Sequence, residues 1–202
     1  MNIEEKVQNR MNSLCWAKQG FEVAKYNPCL YNNGIYLDNT EWTDYFDVGK
    51  YVSYKDYETI EKQYIDVVLD IVDLSNCKYL TLTRLNMYEK ELYMGISTKK
   101  KIYTSHEGKR IVFKYNNSDL LLMKEALSLN MYHRISPKKI PNVVKMLLRG
   151  FIFASLINES RKIQFDFPGN FYLWIHCKNV DYILLKKIVE SHDLYLDPRD
   201  GS

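Results

Sequence analysis

Three aspartates at helical spacing are the residues whose pattern points most directly to a binding chemistry. Asp66, Asp70 and Asp73 stand at positions i, i+4 and i+7, so a helix would place them on one side. Like charges at this spacing cost a helix roughly a few tenths of a kcal/mol per pair. A cationic partner would offset that cost, and so would lysines elsewhere in the fold.

These aspartates close a longer acidic stretch. In residues 38–73, ten acidic residues against three lysines give a net charge of −7. Aromatic residues lie among the acids, and aromatic anchors within a surface of one sign are typical of protein interfaces. Such a stretch could imitate a phosphate backbone and block a cationic nuclease. The partner-binding residues that we predict are Trp42, Asp44, Tyr45, Asp47, Asp66, Asp70 and Asp73.

A basic segment follows the acidic one. In residues 99–150, twelve Lys and Arg residues against three Asp and Glu residues give +9. Cations attract phosphates, and the interleaved tyrosines can stack on bases. Solvated faces of helices and hairpins are the alternative explanation for both charged stretches. The alternative nucleic-acid-binding set is Lys99, Lys100, Lys101, Lys109, Arg110, Lys114, Arg134, Lys138 and Lys139, with Tyr103, Tyr115 and Tyr132.

The sequence patterns of common enzymes and metal sites do not occur in the chain. The four histidines have no paired ligand spacing, and the eight glycines form neither a dinucleotide-binding turn nor a phosphate-binding loop. Ser191, His192 and Asp193 are the residue types of a catalytic triad, but adjacent helical residues point about 100° apart. We therefore predict no catalytic residue, no metal ligand and no cofactor.

Length and composition fit one globular domain. The 202 residues are 46% hydrophobic and 26% charged, which allows a packed core and argues against disorder. Four cysteines without Cys-x-x-Cys spacing favour a reduced, cytoplasmic protein. The most apolar segment, residues 143–157, is broken by Lys145 and Arg149 and is too short to span a bilayer, so we expect a buried helix there.

Hydrophobic periodicity and turn residues predict the helices and strands that position these side chains. We predict a single α+β domain over residues 1–197, with about five helices and a mainly antiparallel sheet of about five to seven strands, followed by a polar tail at 198–202. The predicted helices span about 3–18, 54–75, 119–131, 137–158 and 180–192; the predicted hairpins turn at 33–34, 89–90, 106–109 and 168–170, and a short strand ends the domain at 195–196.

The last third of the chain, about residues 143–197, has a characteristic order of elements. It contains the helical segment Val144-Lys145-Met146-Leu147-Leu148-Arg149, the aromatic strand Phe171-Tyr172-Leu173-Trp174-Ile175, a further helix, and Asp193-Leu194-Tyr195-Leu196. In this order and character it resembles the end of several bacterial immunity proteins, the cytosolic antidotes of polymorphic and contact-dependent toxins. It implies a non-enzymatic protein that occludes one toxin domain.

The function predicted from the sequence is therefore a cytoplasmic binding protein of the immunity or inhibitor type, acting on a toxin or effector by protein–protein contact. The alternative is a nucleic-acid-binding protein that uses residues 99–139. An enzyme of a class without a recognisable motif is the third possibility.

Overall fold

The structure is a computed structural model, and it describes residues 5, 20–28, 31–32, 35–36, 42, 44–87, 100–104, 110–169, 171–177 and 181–197. Apart from the helical Glu5, the predicted opening helix lies outside these residues. The same holds for the turns predicted at 33–34, 89–90 and 106–109 and for the tail.

Eleven strands and four α-helices occur among the described residues. In chain order they are β1 (Gly20–Ala24), β2 (Tyr31–Asn32), β3 (Ile35–Tyr36), α1 (Tyr54–Leu74), β4 (Leu80–Asn86), β5 (Lys100–Thr104), β6 (Arg110–Lys114), α2 (Asn117–Ala126), β7 (Arg134–Ile135), α3 (Ile140–Leu148), β8 (Phe153–Asn158), β9 (Ile163–Gly169), β10 (Tyr172–Cys177), α4 (Tyr182–Ser191) and β11 (Tyr195–Asp197). Short 3-10 turns span Tyr45–Asp47 and Pro137–Lys139.

Seven of the strands form one antiparallel sheet in the order β11-β1-β10-β9-β8-β4-β7. Two hairpins, β2-β3 and β5-β6, form separate two-stranded sheets. The predicted α+β class with a mainly antiparallel sheet is confirmed.

The two sides of the main sheet differ in chemistry because side chains alternate along each strand. One cross-strand row consists of Leu82, Leu156, Phe165, Ile175 and Phe21, and all of these belong to the buried core that the helices share. The neighbouring row on the other side is mostly polar, and it runs through Thr83, Ser155, Asp166, Trp174, Glu22 and Asp197.

Helix α1 confirms the prediction for residues 54–75. It begins where Ser53 accepts a hydrogen bond from the Asp56 amide at 3.1 Å, which satisfies one of the free N–H groups of the first turn. Its buried side includes Tyr57, Tyr64 and Val68. The predicted aspartates stand on the rest of its surface.

The helix predicted over residues 137–158 is wrong in its second half. Helix α3 ends at Leu148, and Gly150 adopts φ +67°, a left-handed conformation that stops helices and suits glycine. The chain then enters β8, the Phe153–Asn158 strand. This strand lies inside the sheet and is largely buried on both sides, so its sequence lacks the strict alternation that distinguishes a strand from a buried helix.

No helix in the described ranges is long and apolar enough to cross a membrane.

Candidate functional site

The last two turns of α1 present carboxylates to solvent. Asp70 and Asp73 are both exposed, and no basic residue occurs in the last turn of the helix. A helix carries partial negative charge at its C-terminal end, so this is where carboxylates are least favourable. The sequence predicted the row of aspartates but not its place at the end of the helix.

Two of the three aspartates have partners within the fold. Asp66 forms an ion pair with Lys62, one turn earlier on the same helix. Asp70 Oδ2 lies 2.7 Å from Nε2 of His192, which follows α4. The Asp73 carboxylate takes part in no hydrogen bond or ion pair with the residues that the structure describes. No described residue therefore pairs with its charge.

A groove runs from the surface beside Asp73, Lys78 and Pro137 to the space between the end of α1 and the start of α4. It consists of two adjoining depressions of about 580 and 370 Å³, which share Asn76 and Arg161 in their walls. We call it the α1–α4 groove. Its walls include Asp73, Leu74, Asn76, Arg161, Asp181 and Leu184.

Apolar and charged groups are both accessible in this groove. Leu74 is 54% exposed and Leu184 is 39% exposed, and the two leucines come from different helices. Arg161 and Lys78 supply positive charge, and no carboxylate in the described ranges pairs with either. The groove therefore offers acidic, basic and apolar contacts side by side.

The aromatic members of the predicted partner-binding set lie inward. Tyr45 is 1% exposed. Trp42 packs against Tyr57 and Phe171 with ring centroids 5.4 and 5.1 Å apart, and the Lys25 ammonium group lies 3.6 Å from its ring centroid. These contacts make Trp42 and Tyr45 part of the scaffold.

The side chains of Asp44 and Asp47 cap the turn in which they lie. The Asp44 side chain accepts a hydrogen bond from the Phe46 amide, and the Asp47 side chain accepts one from the Asp44 amide at 3.1 Å. This reciprocal cap explains why two acids stand three residues apart here. The structure does not bring them to the same feature as Asp70 and Asp73, which line the groove.

Sequence reasoning missed a buried ionic network around Arg149. The Arg149 guanidinium contacts both carboxylate oxygens of Glu61, and its Nη1 lies 2.7 Å from Oδ1 of Asp119. The Tyr45 hydroxyl donates to Asp119 at 2.7 Å. Burial works against the charged form of Arg149, but the hydrogen bonds to Glu61 hold its pKa above its usual value. The signal in the sequence was a charged residue inside an otherwise apolar run.

A second polar cluster lies on the polar side of the sheet. The Asp166 carboxylate accepts hydrogen bonds from Ser155 and from Gln164, and His176 Nε2 lies 3.2 Å from it. Burial would raise the pKa of Asp166, but these hydrogen bonds outweigh it and lower the pKa. Ser155 donates to the aspartate and not to His176, so the three residues do not form a nucleophile–base relay.

Gly20 leaves the space that His176 occupies. The two residues are cross-strand partners, and a Cβ atom at position 20 would lie 2.9 Å from Cε1 of His176. The Trp174 ring is nearly parallel to the imidazole, with an interplanar angle of 16°, and its Cε3 would lie 3.4 Å from the same Cβ atom. A larger residue at position 20 would therefore push the imidazole out of its place.

The basic set is divided among several elements. Lys138 and Lys139 are exposed in the Pro137–Lys139 turn, and Arg134 lies 4.4 Å from the Tyr79 ring centroid on the edge strand β7. Lys100 is the register partner of Lys114 in the β5-β6 hairpin. In the same hairpin, Lys101 pairs with Phe113 and Arg110 with Thr104, whereas Lys99 and Lys109 lie outside the described residues.

The Ser191, His192 and Asp193 sequence does not form a triad. The Ser191 hydroxyl donates to the Ile188 carbonyl at 2.7 Å, while His192 contacts Asp70. No group of three His, Cys, Asp or Glu residues in the described ranges could hold a metal ion.

Comparison of the chain with protein-family models, with curated proteins and with solved structures found no match.

Proposed function

We propose that this chain is a bacterial binding protein of the immunity or inhibitor type. It acts in the cytoplasm without catalysis and neutralises a toxin or effector domain by covering it. The observation that carries this proposal is Asp73, an exposed carboxylate at the negative end of α1 whose charge is not offset by a described residue.

A side chain that lowers the stability of the folded protein points to a role outside folding. Asp73 would be better replaced by a neutral or basic residue if only the stability of α1 mattered. A basic group on another protein would offset the cost on binding and would give that partner its specificity. The exposed Leu74 next to it supplies apolar area for the same contact.

The interior fits a rigid binding scaffold. Arg149 and its carboxylate partners fasten α1 to the start of α2 and the end of α3. Trp42 and Tyr45 pack behind α1, so we assign them to the scaffold and the contact itself to Asp70 and Asp73. A preorganised surface loses less conformational entropy when it binds.

Co-expression with the domain encoded by the adjacent gene tests the proposal. The wild-type chain is expected to restore growth and to co-purify with that domain. Asp70→Asn combined with Asp73→Asn should weaken both readouts, whereas Glu58→Gln, an exposed acid in the first half of α1, should not. Failure of the wild-type chain to bind or to restore growth, or turnover of any substrate by it, would refute the proposal.

Nucleic-acid binding is the second candidate, because Lys138 and Lys139 are exposed at the start of the segment that becomes α3. Cations are unfavourable at that end of a helix, and phosphate groups would offset the cost. A salt-dependent shift of labelled DNA or RNA that is abolished by Lys138→Glu with Lys139→Glu would favour this candidate over the first.

A further inference from the structure

We propose that the α1–α4 groove is the docking site and that it takes a segment of the partner protein in which an apolar side chain is flanked by a lysine or arginine. This inference rests on the proposed function and specifies the chemistry of the partner. It uses residues that the sequence did not single out, Leu74, Arg161 and Leu184.

The apolar part of the segment is set by the two leucines. Leu74 ends α1 and Leu184 lies in the first turn of α4, and both line the same depression together with the buried Ile163. Both leucines expose a large share of their side chains in the free protein. An aliphatic side chain seated between them would cover this surface, in the way that apolar anchors fill pockets at interfaces.

The basic part of the segment is set by the difference between the two aspartates of the groove. Asp181 caps α4 by accepting a hydrogen bond from the Ile183 amide at 2.9 Å, and the positive end of that helix favours its charge. Asp73 lies at the negative end of α1, and its carboxylate makes no such contact with a residue that the structure describes. A cationic side chain of the partner therefore belongs at Asp73.

Arg161 determines the direction of the segment. It lies in the wall common to both depressions, and no carboxylate of the described residues pairs with it. An acidic side chain or a chain carboxylate of the partner would meet Arg161 while the basic side chain meets Asp73. Because Asp73 and Arg161 attract opposite charges, they set the orientation of a bound segment.

The test uses the full chain and a short amphipathic helical peptide of leucine and lysine as the probe, followed by NMR. We expect amide shift changes confined to the groove, at Leu74, Asn76 and Leu184. Asp73→Asn and Leu184→Ser should each lower the affinity for the peptide by about tenfold or more. Leu121→Ser, which removes a 67% exposed leucine from α2, should leave the affinity unchanged.

Three results would overturn the inference. The first is equal binding by a matched peptide with glutamate in place of lysine. The second is shift changes outside the groove, or no binding of the leucine–lysine peptide. The third is a wild-type dimer in sedimentation that Leu184→Ser converts to a monomer, because the groove would then hold a second copy of the chain. Growth rescue by the adjacent-gene test is independent of all three and decides the proposed function separately.

Discussion

Arg149 holds Glu61 through two parallel contacts inside the core, with Nε 2.6 Å from Oε1 and Nη2 2.7 Å from Oε2. Both side chains are 1% exposed. A buried ion pair of this kind contributes less to stability than its geometry suggests, because both charges lose their hydration. Its effect is positional, since it fixes α1 relative to the end of α3 and so fixes the surface that carries Asp70 and Asp73.

Glu61→Gln should destabilise the protein strongly. The substitution leaves Arg149 buried with one carboxylate partner in place of two, and breaking a buried pair costs about 3–5 kcal/mol. Denaturant unfolding measures the change in the free energy of unfolding. Glu58→Gln, at an exposed position of the same helix, should change it by no more than about 0.5 kcal/mol. Equal effects of the two variants would show that the pair does not hold the helices.

Asp166 should make stability depend on pH in the acid range. Its folded pKa is below the ordinary value of 3.8, so the folded state favours the carboxylate more than the unfolded chain does. The stabilisation is therefore complete above the unfolded pKa and is lost as the pH falls through the lower, folded one. Asp166→Asn should reduce the slope of unfolding free energy against pH below about pH 4. An unchanged slope would contradict the hydrogen bonding described for this carboxylate.

Gly20→Ala should disturb the polar side of the sheet. The new methyl group would lie 2.9 Å from Cε1 of His176, so the imidazole has to move away from it. Overpacking of this kind costs about 1–3 kcal/mol in unfolding experiments. His176→Ala removes the obstacle, so Gly20→Ala should cost much less in that background. The same cost in both backgrounds would mean that the clash is not the cause.

Asp73→Asn should stabilise the free protein while it weakens partner binding. Removing a negative charge from the C-terminal end of α1 should raise the free energy of unfolding by about 0.3–1 kcal/mol. Thermal and denaturant unfolding of the free chain measure this gain. A loss of stability would show that Asp73 serves the fold, and the main support for the proposed function would disappear.

The sequence predicted the elements whose signals are local. Helix α1 was predicted at 54–75 and spans Tyr54–Leu74, because its apolar period and its Ser53 cap lie within a single segment. The hairpin of β9 and β10 was predicted for the same reason, from alternation on both sides of one turn. Strand β8 was not, because a strand buried on both sides lacks the alternation that distinguishes it from a helix.

The sequence predicted the aspartates of the candidate site but not the groove beside them. The aspartates could be placed on one side of α1 by counting along the chain. The groove beside them also needs Arg161 from the turn between β8 and β9 and Leu184 from α4, which come together only when the sheet is assembled. Tyr45 was expected at the surface because it lies among acids, but its hydroxyl is bound to Asp119, which lies 74 residues further along the chain.

Hydrogen exchange of the full chain, alone and with the domain encoded by the adjacent gene, tests the central claim most directly. We predict that the partner slows exchange of the amides in residues 70–76 and 181–185, at the end of α1 and the start of α4. Protection confined to the β5-β6 hairpin and the Pro137–Lys139 turn, or no protection at any segment, would contradict the account.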